Sequence, residues 1–73
     1  MTRFIYPLTG ETIEMKNNIN NIQKGHYIRV STDDSLRPIS GVVDVVRHVV
    51  NQHHNGNGLE RSTHDIEIII NPS

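Results

Sequence analysis

The stretch Ile39-Ser40-Gly41-Val42-Val43-Asp44-Val45-Val46-Arg47-His48-Val49-Val50-Asn51-Gln52-His53-His54 decides the fold. Its six valines come in paired steps. On a helical wheel Ile39 and these valines gather on one side, with Asp44, Arg47, His48 and Asn51 opposite, which is the period of an amphipathic helix. Asn55-Gly56 would supply the C-terminal stop of such a helix. Strict two-residue alternation puts valines on both faces, so a strand needs a bulge to restore a single apolar face. Three features favour the bulged strand. Valine loses χ1 freedom in a helix and packs well on a pleated surface; Gly41 would fall in the first helical turn; and Thr63 to Asn71 offers a pairing partner across residues 53–62. A long bent strand over Ile39 to His54 is therefore expected. The alternative is an α+β fold, an antiparallel sheet with one amphipathic helix at 39–54.

Composition leans the same way, with ten isoleucines and seven valines against three leucines and no alanine. Working outward, Asp65-Ile66-Glu67-Ile68-Ile69-Ile70 reads as a strand that Pro72 ends. His26 to Thr32 alternates, with Ile28 and Val30 on one face and Arg29 on the other. Asp33, Asp34, Ser35 and Pro38 mark a loop. Arg3 to Leu8 and Thr12 to Lys16 form a hairpin around Thr9-Gly10-Glu11, in which Pro7 places the first strand at a sheet edge. Asn17 to Lys24 is polar apart from Ile19 and Ile22, which mark either one helical turn or a loop pinned at two points. The expected fold is mostly β, a small SH3-like barrel or curled antiparallel sheet of about five strands, in one domain spanning residues 1–73.

With 73 residues there is room for one compact core, and a domain of this size buries only about 60% of its unfolded surface. Cysteine is absent, so neither disulfides nor a thiolate metal centre can reinforce it. Seven Lys and Arg balance eight Asp and Glu, and the cations Arg3, Lys16, Lys24, Arg29, Arg37, Arg47 and Arg61 are spread along the chain. That spacing argues against a dominant phosphate-binding face. No apolar run approaches the roughly 18 residues that span a bilayer, and the N-terminus lacks the apolar region of a secretion signal. No membrane association and a cytoplasmic location are expected.

Lys24-Gly25-His26-Tyr27-Ile28-Arg29-Val30, followed by Ser40-Gly41-Val42-Val43-Asp44-Val45-Val46, resembles the KOW motif of small SH3-like barrels over about a third of the chain. The motif comprises a Gly-x-x-apolar-x-apolar strand, a loop, then Gly-x-Val. The resemblance implies that the first strand and its loop contact RNA or a transcription or translation partner, here through His26, Arg29, Arg37 and Arg47. Asp33-Asp34 stands in that loop and would repel phosphate, which turns the expectation toward a protein partner.

Five histidines, His26, His48, His53, His54 and His64, are many for so short a chain. Imidazole is the commonest metal-ligating side chain. In a hairpin of 42–52 with 63–71, His48 or His54 approaches His64. No metal site is assigned, and His48, His53, His54 and His64 are its candidates; His53 and His54 also read as residues flanking an exposed Asn-Gly-Asn-Gly turn. Asp44 and His48, four apart, are half of a hydrolytic constellation without a positioned nucleophile or oxyanion site. Ser40 reads as a loop residue or helix cap. Asp33-Asp34 lacks the spacing of a calcium loop, and Gly56 with Gly58 lacks the strand and helix of a phosphate cradle. Tyr6 and Tyr27 are candidates to stack a base or anchor a partner, or else belong to the core edge.

These readings converge on a non-enzymatic binding module without a cofactor. It meets a protein or RNA/transcription-related macromolecule, protein favoured, through Tyr6, His26, Tyr27, Arg29, Arg37 and Arg47. Self-association through the apolar row ending in Ile68-Ile69-Ile70 is also expected. Two alternatives remain. One is a small viral or mobile-element inhibitor that blocks a host enzyme or traps a signalling nucleotide; the other is a histidine-based metal- or pH-responsive protein.

Overall fold

The structure is a computed structural model that describes residues 1–32, 37–54 and 60–72, residues 54 and 60 in their backbone alone. Five strands make it up: β1 (Thr2–Tyr6), β2 (Glu11–Met15), β3 (Tyr27–Val30), β4 (Ile39–His54) and β5 (Glu60–Asn71). There is no helix among the described residues, so the valine-paired segment is strand throughout. The strands lie in the order β2-β1-β5-β4-β3, in one sheet nearly closed into a barrel.

The bulge that the valine pattern requires falls between Val43 and Val45. Before it, Ile39, Gly41 and Val43 point inward; after it, Val46 takes up the inner face opposite Ile68. One inserted residue, the exposed Asp44, thus resets the phase of the strand. The core so formed comprises Phe4, Ile13, Val30, Ile39, Val43, Ile66, Ile68 and Ile70.

Two expectations need correction. The sheet is mixed: β1 runs parallel to β5, with Thr2 beside Ile66 and Ile5 beside Ile69, while the other three pairings are antiparallel. Nor is β1 an edge, because it sits between β2 and β5; it ends at Tyr6, so Pro7 lies in the turn and removes no ladder hydrogen bond. Parallel pairing of the first and last strands is a long-range match that local sequence patterns do not report.

Residues 16–26 carry the chain from β2 to β3 as a loop without helical turns, pinned by the half-buried Ile19 and Ile22. A third anchor was invisible in the apolar pattern. Thr2 is fully buried; its hydroxyl donates to the Asn17 carbonyl at 2.7 Å and accepts the Ile19 N–H at 2.9 Å. On the outer face, Glu14, Arg3, Glu67 and Arg47 form a row of alternating charge across four strands, with contacts of 3.1 to 3.3 Å. Next to that row stand Thr12, Ile5, Ile69 and Val45.

Gly41 is required for a geometric reason. A Cβ built there would lie 2.1 Å from the Asn71 carbonyl oxygen, a backbone atom that cannot step aside. Replacing Gly41 with alanine is expected to destabilise the fold by about 1–3 kcal/mol or more, read as a lower denaturant midpoint. Thr2→Val strands the Asn17 carbonyl and the Ile19 N–H, and a loss of about 1–3 kcal/mol is expected. Thr2→Ser, which keeps the hydroxyl, should recover most of it in the same unfolding measurement.

Candidate functional site

β4 is 16 residues long, while the strands flanking the central pair are four or five. This mismatch creates the most distinctive surface of the molecule. β3 pairs with β4 only from Ile39 to Val42, and a last pair of backbone bonds joins the Gly25 N–H to the Val43 carbonyl and the Val43 N–H to the His26 carbonyl. Gly25 then adopts a positive φ of 93° and turns the chain away. From Val45 to Asn51 no described strand lies on that side of β4. At about 3.3 Å per residue, the vacant lane is roughly 20 Å long.

Beyond His48 the hairpin is a two-stranded ribbon, residues 49–54 against 60–65, because β1 pairs with β5 only from Ile66 to Ile69. The molecule measures 48 × 26 × 20 Å, and its longest dimension is close to the length of β4 at about 3.3 Å per residue. The β5 side is covered where the ribbon leaves the barrel: the Ile66 N–H donates to the Met1 carbonyl, and the Asn18 amide donates to the His64 carbonyl. These two bonds also fix the ladder phase. Since residues 64 and 66 direct their backbone groups toward β1, residues 65, 67 and 69 bond to β4. Their partners Val49, Arg47 and Val45 are thereby occupied, and Val46, His48 and Val50 direct their N–H and C=O groups into the lane.

The side chains along the lane alternate in chemistry as well as direction. Val45, Arg47, Val49 and Asn51 share the outer face; Val46, His48 and Val50 share the inner one, continuous with the core. Val50 is 66% exposed. At the mouth of the lane stand His26 and Tyr27, the latter 64% exposed. The residues expected to meet a partner therefore divide into two groups. His26, Tyr27 and Arg47 border the lane, Arg47 also contacting Glu67 at 3.3 Å. Tyr6 and Arg37 instead line a cleft of about 160 Å³ with Glu11 and Ser40, and Arg29 lies directly opposite Ser40.

A second cleft, of about 310 Å³, opens between the 16–26 loop and β3, lined by Phe4, Met15, Ile19, Ile22, Ile28 and Val30 together with Arg29 and Ser31. It is the incompletely filled mouth of the core. The smaller cleft falls below the roughly 300–1,000 Å³ typical of small-molecule sites.

Of the histidines, the structure brings His48 and His64 together, His48 Nδ1 lying 2.8 Å from His64 Nε2 with ring centroids 5.0 Å apart. They are diagonal neighbours on the inner face of the ribbon, His48 opposite Ile66 and His64 opposite Val50. His53 meets the Thr63 hydroxyl at 3.4 Å, and His26 Nδ1 accepts the Gln23 N–H. The side chain of His54 lies outside the described residues, as do Asp33-Asp34 and the glycines of the 55–59 turn. No cluster of three or more metal-ligating side chains occurs among the described residues. Asp44 and His48 are not joined: Asp44 is the bulge residue, and the ring of His48 is engaged by His64.

The isoleucine run does not furnish an exposed apolar row. Ile68 and Ile70 are fully buried in the core and Ile69 alone faces outward, half-buried beside Ile5 and Val45. No helix of the described residues is long and apolar enough to cross a membrane. Set against family models, curated proteins and solved structures, the chain matches none.

Proposed function

We propose that the chain is a non-enzymatic binding module whose partner is a protein, added as an extra strand along β4 between Val45 and Asn51. The observation that carries this reading is the vacant lane itself. An unpaired strand edge is a ready template for a further strand, and proteins ordinarily blunt such edges with proline, lysine, bulges or covering loops. Here the one bulge lies at the lane's inner end, and valines outnumber charges along it. Main-chain hydrogen bonds to Val46, His48 and Val50 would supply affinity. Tyr27 and the flanking valines would choose among sequences.

The charge distribution supports protein over nucleic acid. Arg47 already shares Glu67 with Arg3, and the lane offers no second cation in line with it. A phosphate backbone needs several.

A second reading rests on a different observation. Gly25 to Val30 runs antiparallel beside Ile39 to Val43, which sets the two halves of the KOW-like pattern side by side. Arg29, Ser40, Arg37 and Tyr6 are contiguous at that end of the barrel. This favours an RNA or transcription-related partner held by the barrel end instead of the ribbon. The SH3-like assignment belongs with this reading, since a nearly closed five-stranded barrel is compatible with it.

One set of variants separates the two. Val50→Pro removes a lane-facing N–H while leaving the β4–β5 bonds in place, because proline is tolerated where the strand does not donate to its neighbour. Affinity capture from the native cell is expected to retain a protein with the unaltered chain. That protein should be lost with Val50→Pro and retained with Arg29→Ala/Arg37→Ala. Capture of RNA that survives Val50→Pro and disappears with the arginine variant would overturn the ribbon reading.

A further inference from the structure

We propose that His48 and His64 form a bidentate chelate for a divalent transition ion of the copper or nickel class. The site stands independently of how a partner docks.

The argument begins with the ladder. His48 and His64 belong to successive pairs whose backbone groups point away from each other's strand, the arrangement in which cross-strand side chains approach most closely. The sheet thus fixes both Cβ atoms and leaves the rings few ways to meet. They meet nitrogen to nitrogen, Nδ1 of one against Nε2 of the other at 2.8 Å. With metal–nitrogen bonds of about 2.0–2.1 Å, two ligands in cis positions of a square or octahedral complex lie about 2.9 Å apart, whereas a tetrahedral site needs about 3.3 Å. The observed separation is close to the cis spacing, and since the centroids, 5.0 Å apart, set the two rings nearly end to end, binding turns these exposed rings until both lone pairs meet on one ion. Tetragonal nitrogen sites select copper(II) and nickel(II) over zinc.

Access and setting agree with this. Both residues are exposed, so the remaining coordination positions stay open to water. The inner face to either side of the pair is β-branched, with Val46, Ile66 and Val50. Nothing in the packing of that face calls for two imidazoles at its centre. In the metal-free state, one ring donates its proton to the other, and which one donates depends on the tautomer. Metal binding shifts the donor ring to its other neutral tautomer, the proton passing to that ring's second nitrogen, and leaves a lone pair from each ring on the ion. The chelate then ties β4 to β5 where the ribbon leaves the barrel.

Nickel(II) chloride titrated into the purified chain, followed by calorimetry and by ring-proton NMR, tests the site. Saturable binding is expected, with paramagnetic broadening of the His48 and His64 ring signals before those of His26 and His53. His48→Gln and His64→Gln should each weaken binding about tenfold or more, since each removes one of two ligands. His26→Gln and His53→Gln should leave it unchanged, and zinc should bind more weakly than nickel. Circular dichroism of each variant checks that the exposed substitutions leave the sheet intact. Absence of saturable nickel binding, or binding that survives in His48→Gln or His64→Gln, overturns the assignment.

Discussion

A strand that must serve two environments cannot keep one simple alternation, and the bulge between Val43 and Val45 is how β4 meets that requirement. Up to Val43 the strand is enclosed, with β3 on one side and β5 on the other. Beyond it only β5 remains. Without the inserted Asp44, the valines that follow would present the wrong face, because a one-residue slip turns every later side chain over. The core would lose Val46, and the outer charge row would lose Arg47. The paired-valine spelling of the sequence records this device: two valines before the inserted residue and two after it, with one of each pair turned inward.

The consequence is a molecule of unequal halves. The barrel end holds nearly all the buried apolar surface, reinforced by the Thr2 hydroxyl that secures the 16–26 loop. The ribbon end extends past it with little enclosed surface of its own. Isolated two-stranded ribbons are marginal in water, so this one depends on continuity with the barrel and on cross-strand contacts such as the His48–His64 pair. A segment supported so lightly, with one backbone edge open, is suited to being completed from outside. The strand-addition proposal and the chelate proposal both draw on that property, one through the backbone and the other through side chains.

Much of this was legible in the residues. Valine and isoleucine content, the complementary run from Thr63 to Asn71 and the turn at Thr9-Gly10-Glu11 lead to the five strands and to the β4–β5 hairpin, and the approach of His48 to His64 follows from that hairpin's register. Other features were hidden for physical reasons. The parallel match of Thr2–Ile5 with Ile66–Ile69 joins the two ends of the chain, where no local signal operates. A buried threonine that satisfies two backbone groups looks in sequence like any polar residue near a terminus. The isoleucine triplet points to more apolar surface than one small core can take up, whereas strand alternation sends two of the three into that core. The lane has no signature in the sequence because strand lengths, which create it, are less well marked there than strand identity.

Backbone NMR of the purified chain tests the central claim most directly, by way of contacts between β4 and β5 on both sides of the bulge. Cross-strand contacts joining Val43 with Ile70, Val46 with Ile68 and His48 with Ile66 are expected, with slow amide exchange at the residues bonded within the ladder and fast exchange at Val46, His48 and Val50. Sequential contacts of helical spacing through residues 39–54, or a register without the one-residue shift at Asp44, would contradict it.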